Sequence, residues 1–176
     1  KSFPTTTPRT PGSLSALPRG LQTFGGVEFD VRGVVQLAGA NLLRGGFPEM
    51  IRGIPVNQKC SRIHFLHATG WQPKSGTHIA NFVIRFADGR RRFVPILYGQ
   101  DVLDWLIQES EKPEEQLETE VWRESAEPGS TDGKAHRLFK STWENPFPEA
   151  EIDTIDYVSS MSEAAPFLVA ISLEAK

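Results

Sequence analysis

The most constraining feature of this chain is a pair of β-rich runs that meet at Asp88-Gly89. The first run, Ile79 to Phe86, and the second, Arg90 to Tyr98, are rich in branched and aromatic residues. An Asp-Gly pair between two such runs supplies the positive φ angles of a tight primed turn. The sequence therefore predicts an antiparallel hairpin. Charged residues beside an exposed turn, such as Arg90 to Arg92, usually keep a strand soluble. The alternative interpretation is that these arginines form an anion-binding site.

The chain from Leu21 onward has an apolar period close to two. Val27, Phe29 and Val31 alternate with acidic residues, as in a strand with one buried face. Because the chain shows several short strands and no long amphipathic helix, the expected fold is all-β, an antiparallel β-sandwich (jelly roll) with at most short helical turns. The other predicted strands are Val34 to Leu37, Ile51 to Val56, Cys60 to Ala68, His136 to Trp143, Ile152 to Ser159 and Phe167 to Leu173.

Less regular segments separate these strands. Residues Gln100 to Ile107 fit one short helical turn or an irregular edge, and Ala38 to Met50 is broken by Gly and Pro and reads as a loop. The polar stretches Gln108 to Glu120 and Ser125 to Lys134 are also expected to be loops. Residues 1–20 contain four prolines among Thr and Ser, which predicts a disordered linker before a single β-sandwich domain at 21–176.

Composition excludes several classes of function. The formal net charge of -3 gives no basic excess for nucleic-acid binding. No stretch has the ~20 apolar residues of a membrane span. The one cysteine, Cys60, excludes an internal disulfide framework and leaves the compartment open. A domain that begins with a Pro-rich linker is often part of a longer polypeptide, so neighbouring domains are expected partners. The oligomeric state is not fixed by the sequence.

The order of several motifs is similar to a known family. The segments Gly26 to Val31, Gly53 to Val56 and Ile63 to Ala68, the Asp88-Gly89 hairpin, and the endings Lys140 to Pro146 and Ala165 to Ile171 resemble galactose-binding-like jelly rolls appended to bacterial secreted and cell-surface proteins. The resemblance covers about Leu21 to Glu174. It implies a sandwich fold, a carbohydrate-binding or ligand-free accessory role, and an extracellular or periplasmic location.

No catalytic constellation emerges from the residues. His64 and His67 have HxxH spacing, but residues i and i+3 on a strand point to opposite faces, so both cannot easily reach one metal ion. There is no Gly-x-Ser-x-Gly elbow, and Cys60 lies in an apolar run where a thiol is usually inert. We therefore expect no enzyme and no cofactor. A structural calcium ion stays open, with Asp101 and Asp104, or Glu144 and Asp153, as loop carboxylates.

Aromatic residues in polar loops are the better functional clue. Sugar recognition stacks a flat ring on a pyranose and fixes its hydroxyls with polar side chains. Trp71 and Trp122 lie among polar residues, and either could serve as a ligand platform or as a lid on the core. Sequence proximity and the family resemblance add His78, Arg123 and Asn145 as ligand-binding candidates.

The leading hypothesis is a non-catalytic module that recognises a carbohydrate or another cell-surface ligand for a larger bacterial protein. Two alternatives stay open. One is a protein-interaction or scaffold domain, which needs only a sandwich and a linker. The other is a metal-assisted hydrolase that uses His and carboxylate residues from separate strands.

Overall fold

The computed structural model describes residues 17–108, 117–124 and 134–175. These residues form antiparallel strands with one short 3-10 helix, Ala40–Gly45, so the predicted all-β fold is confirmed. The strands are β1 Gly20–Phe24, β2 Val27–Val31, β3 Val35–Gln36, β4 Met50–Gln58, β5 Arg62–Gly70, β6 His78–Phe86, β7 Arg91–Leu97, β8 Leu106–Gln108, β9 Glu120–Glu124, β10 Lys134–Glu144, β11 Ile152–Ser159 and β12 Ala165–Glu174.

Two sheets make the sandwich. The larger sheet has the order β3-β12-β5-β10-β8, with β9 also paired to β10, and the smaller sheet has the order β4-β11-β6-β7. The predicted hairpin is β6 and β7, where Arg85 pairs with Arg91 on either side of the Asp88-Gly89 turn. Gly89 has a φ of 88°, the conformation for which a glycine is needed.

Aromatic rings from both sheets meet in the core. The ring of Phe65 on β5 stacks on Phe82 of β6, with 3.8 Å between centroids, and Phe82 also stacks on Tyr157 of β11. All three side chains are buried. Burial of aromatic area of this size contributes most of the stabilisation of such a core. The inner faces of the two sheets are therefore the faces that carry these rings.

The outer face of the larger sheet is covered by the β1–β2 hairpin. Leu66 and Lys140 pair across β5 and β10 and, because side chains alternate, lie on the face opposite Phe65. The Lys140 ammonium donates to the Gly25 carbonyl at 2.6 Å, in the turn between β1 and β2. Phe24 and Phe29 of this hairpin are buried in the same apolar cluster as Leu66.

Several predicted boundaries differ from the structure. Leu17, within the predicted linker, is buried in the core, and β1 begins at Gly20; residues 1–16 lie outside the described residues. The loop expected at Gln108 to Glu120 falls mostly on 109–116, and the loop at Ser125 to Lys134 on 125–133, and both of these ranges also lie outside them. The short strands β1, β8 and β9 carry too little apolar alternation to stand out in the sequence.

Candidate functional site

The sandwich has two ends that differ in their loops. β12 pairs with β5 from Ala165 opposite Gly70 to Glu174 opposite Arg62. We call the end near Gly70, with loops 71–77, 98–105 and 160–164, the Trp71 end. The opposite end, with residues 59–61, 87–90 and 145–151, is the Asn145 end.

Trp71 is an exposed aromatic ring in an unusual backbone conformation. It follows β5 directly, its exposed fraction is 37%, and its φ is 64°. A bulky residue at positive φ is strained, and such strain persists only where the surroundings hold the backbone in place. Here the loop is held by the Gly76 amide, which donates to the Tyr98 carbonyl at 2.8 Å, and by the Tyr98 amide, which donates to the Thr77 carbonyl at 2.9 Å.

His78 closes the same loop at the start of β6. Its side chain is exposed, whereas its backbone is fixed because the Ser160 hydroxyl donates to the His78 carbonyl at 2.6 Å. Gln72 and Lys74 in the loop are also exposed. The structure thus places Trp71 and His78 at the two ends of one anchored loop, with further polar side chains between them.

Trp122 lies in a strand rather than in a loop. It pairs with Leu138 across β9 and β10 and is half-buried against the core, so its ring covers apolar side chains. Arg123, beside it, donates to both carboxylate oxygens of Glu120 at 2.7 and 3.0 Å. Both residues lie on β9, the strand at the edge of the larger sheet, where β9 leads towards the Trp71 end.

Asn145 belongs to the opposite end and is buried. Its side-chain amide donates to the Cys60 carbonyl at 2.9 Å and accepts from the Phe147 amide at 2.9 Å. The Asn145 backbone amide also donates to the Ser61 carbonyl at 2.9 Å. These contacts join the end of β10 to the start of β5, and the structure therefore does not bring Asn145 together with Trp71 and His78.

The sequence analysis missed an exposed aromatic on the outer face of the smaller sheet. Phe93 on β7 has an exposed fraction of 67% and pairs with Val83 on β6, which pairs with Asp156 on β11. The alternation of β7 contains the signal for this exposure. Arg91 and Pro95 share the face of Phe93, and residues of these types rarely point into a core.

A buried ion pair stands beside this aromatic residue. Asp156, with an exposed fraction of 4%, accepts from Arg85 Nε at 2.8 Å and from the Gly53 amide at 2.9 Å. Burial raises the pKa of the Asp156 carboxyl, but the hydrogen bonds from Arg85 and Gly53 outweigh burial and hold the pKa below its usual value. The pair therefore fixes the Arg85 guanidinium on the outer face.

The histidines of the HxxH pair point to opposite faces, as strand alternation predicts. His64 contacts Thr142 Oγ1 at 2.9 Å and Glu174 at 3.3 Å, whereas His67 contacts Ser141 Oγ at 2.7 Å inside the core. Burial lowers the pKa of His67 to about 3, which keeps the imidazole neutral. Burial raises the pKa of the Cys60 thiol, so this thiol is a poor nucleophile near neutral pH.

Acidic side chains in the loops bind backbone amides. Asp101 accepts from the Leu97 amide at 2.7 Å and Asp104 from the Leu106 amide at 3.1 Å, while Glu144 pairs with Arg62 at 2.6 Å. Across 17–108, 117–124 and 134–175, no three His, Cys, Asp or Glu side chains are grouped to hold a metal ion. The calcium site stays a prediction, and the described segments contain no group of carboxylates that would bind the ion.

An apolar cleft of about 290 Å³ lies between the edges of the two sheets, where it is lined by residues of β3, β4 and β12. Pro55 on β4 and Leu168 on β12 are among its walls. On the β4 side, Pro55 removes one backbone donor from the edge.

Comparisons with known proteins add no family to this description, because no protein-family model and no curated protein matches the chain. No helix in the described segments is both long and apolar enough to cross a bilayer.

Proposed function

We propose that this chain is a non-catalytic recognition module that binds a carbohydrate or another cell-surface ligand as part of a longer polypeptide. The proposal includes a relationship to galactose-binding-like domains. The observation that carries it is Trp71, an exposed indole on an anchored loop whose backbone is held in a left-handed conformation. Strain of this kind clusters at active sites, ligand clamps and switch regions.

The chemistry of the Trp71 end fits sugar recognition. An indole face covers the apolar C–H face of a pyranose, and the loop anchors reduce the freedom that the ring loses on binding. The exposed imidazole of His78 and the amide of Gln72 can exchange hydrogen bonds with sugar hydroxyls, which are both donors and acceptors. Recognition of this kind needs no nucleophile, general base or metal ion.

Trp122 and Arg123 have lesser roles in this proposal. Because Trp122 packs on the core and Arg123 is paired with Glu120, they stabilise the β9 edge and lie beside the binding surface. Asn145 shapes the opposite end and has no ligand contact.

The test is a fluorescence titration of the purified chain with a panel of soluble neutral and acidic oligosaccharides, with and without calcium. We expect a saturable change in indole emission that Trp71→Ala abolishes. Trp122→Phe is the matched control, because it removes a half-buried indole and should leave the affinity within about twofold. The proposal fails if no oligosaccharide in the panel binds, or if calorimetry shows that neutral oligosaccharides still bind the Trp71→Ala variant.

A second candidate, a protein-interaction or scaffold domain, is favoured by the apolar cleft between β4 and β12. Apolar walls of this kind suit side chains of another protein better than hydroxyl-rich ligands. Replacement of the half-buried Ile54 by Lys would place a charge in the cleft. If this variant lost a protein partner while glycan panels stayed silent, the scaffold candidate would replace the recognition module.

A further inference from the structure

The outer face of the smaller sheet carries an aromatic ring surrounded by polar and cationic groups. Arg91, Phe93 and Pro95 alternate along one side of β7, and they pair with Arg85, Val83 and Asn81 of β6. Directly paired side chains on a sheet have Cβ atoms roughly 5 Å apart. Phe93 therefore stands between Arg91 and Pro95 on its own strand and faces the row that contains Arg85 and Asn81.

The arginines after the turn have three different environments. Arg90 pairs with Asp88 at 2.9 Å, and its guanidinium carbon lies 4.0 Å from the centre of the Phe147 ring. Arg92 lies over the same ring at 4.7 Å. Arg91 is exposed, and no described carboxylate forms an ion pair with it.

Like charges face each other on this surface. Arg91 and Arg85 are directly paired across β7 and β6, an arrangement that is unfavourable without a counter-charge. Asp156 neutralises Arg85 through Nε and Nη2, which leaves the positive charge of Arg91 uncompensated. Arg52 on β4 is also exposed and close enough to Asp156 to lower the pKa of that carboxyl. This face is thus cationic in a chain of net charge -3.

We propose that the outer face of the smaller sheet is a second glycan-binding surface, specific for sugars that carry a carboxylate. Phe93 stacks on the pyranose ring, Arg91 binds the carboxylate, and Asn81 hydrogen-bonds to ring hydroxyls. This inference rests on the proposed function, since it names the chemical class of the glycan, but it uses residues separate from the Trp71 end.

A carboxylated glycan fits this face better than an acidic peptide does. The face presents the exposed ring of Phe93 between Pro95 and Arg91, which matches the apolar face and the carboxylate of a single sugar unit. Arg91 offers a planar guanidinium for bidentate contact with a carboxylate. β7 is an edge strand of the smaller sheet, but Pro95 lacks a backbone donor, which makes this edge a poor template for a peptide strand to extend.

The experiment uses polygalacturonate and the same polymer after chemical reduction of its carboxyl groups, which removes the charge and keeps the linkage. Binding is measured by calorimetry at low and moderate salt. We expect the reduced polymer to bind at least about tenfold more weakly, which corresponds to the loss of one good charge-assisted contact. Phe93→Ala is expected to weaken the binding of polygalacturonate at least about tenfold, and Phe93→Trp to retain it.

Arginine variants separate a specific contact from general charge. Arg91→Gln is expected to lower affinity for polygalacturonate about tenfold and to reduce the salt dependence. Arg90→Gln removes the same charge from the neighbouring position, where the guanidinium is already paired with Asp88. The affinity of this variant for polygalacturonate should stay within about twofold of that of the parent chain. Equal losses in the two variants would overturn the proposal in favour of nonspecific attraction.

The remaining outcomes distinguish this inference from the function on which it rests. If glycans bind but Phe93→Ala has no effect while Trp71→Ala abolishes binding, this second surface is refuted and the proposed function stands. If no glycan binds at all, both fail. If poly-glutamate binds as tightly as polygalacturonate and the binding depends on Phe93, the face is a docking surface for acidic proteins and the glycan assignment is overturned.

Discussion

The Asn145 end and the Trp71 end of the sandwich differ in which side chains they bury and which they leave exposed. At the Asn145 end, the buried amide of Asn145 satisfies backbone groups of Cys60 and Phe147. At the Trp71 end, the loops are closed by backbone hydrogen bonds together with the side chains of Ser160 and Asp101, and the side chains of Trp71 and His78 remain exposed. A side chain that closes a loop cannot also bind a ligand, whereas an exposed side chain can.

The largest expected effect in this comparison is the loss of the Asn145 amide. Asn145→Ala removes three side-chain hydrogen bonds, to the Cys60 carbonyl and to the amide and carbonyl of Phe147, and leaves buried backbone groups without partners. We therefore expect a loss of about 2–3 kcal/mol in the free energy of unfolding. Urea denaturation measures it. Gln72→Ala, an exposed amide at the Trp71 end, should change the stability by less than about 0.5 kcal/mol. Equal effects would contradict the contrast between the ends.

Acid should destabilise the whole fold, including both ends, because a buried histidine in the core resists protonation. The folded-state pKa of His67 is about 3 and the unfolded-state value is about 6.5, so between these values the unfolded chain binds the proton more strongly. Stability is therefore lost as pH falls below about 6.5, by about 2 kcal/mol at pH 5. Urea denaturation at pH 7 and pH 5 measures this loss.

His67→Leu should remove most of this pH dependence, whatever its effect at pH 7. His78→Gln removes an exposed histidine at the Trp71 end. This variant should lose as much stability between pH 7 and pH 5 as the parent chain does. If His67→Leu kept the same pH dependence, the source of the acid sensitivity would lie elsewhere.

The smallest expected effect isolates the backbone strain at the Trp71 end. Because both truncations remove the indole, Trp71→Gly and Trp71→Ala differ mainly in how well they tolerate a φ of 64°. We expect the glycine variant to be the more stable by about 1 kcal/mol. Thermal or urea unfolding checks this difference, and a glycine variant no more stable than the alanine variant would show that the backbone relaxes without the ring.

Sequence reasoning could predict local features of the molecule better than contacts between distant segments. The β6–β7 hairpin and β11 follow from period two and turn chemistry. The polar surroundings of Trp71 and Trp122 left both exposure and burial open for each ring. β9 could not be predicted, because Glu120–Glu124 has few apolar residues and its one partner among the described strands is β10. The role of Asn145 depends on Cys60, 85 residues away in the chain, and no local pattern contains that contact.

The candidate site on the smaller sheet was hidden for a different reason. The alternation of β7 indicates the exposure of Phe93, but its neighbours Val83 and Asp156 lie on other strands, and only the register brings them into one row. The arginines beside the turn look equivalent in the sequence. Their separation into paired, stacked and exposed side chains depends on Asp88 and Phe147 and appears only in the folded chain.

The carboxylate of Asp156 connects the edge strand β4 of the smaller sheet to the inner strand β6. Between Tyr157 and Ile155, β11 advances two residues while its partner β4 advances three, from Ile51 to Ile54, so β4 bulges at Arg52-Gly53. One oxygen of Asp156 holds the bulged Gly53 amide and the other holds Arg85. A displacement of the bulge would therefore move the guanidinium two strands away, so the position of Arg85 on the outer face depends on the irregular edge of the sheet.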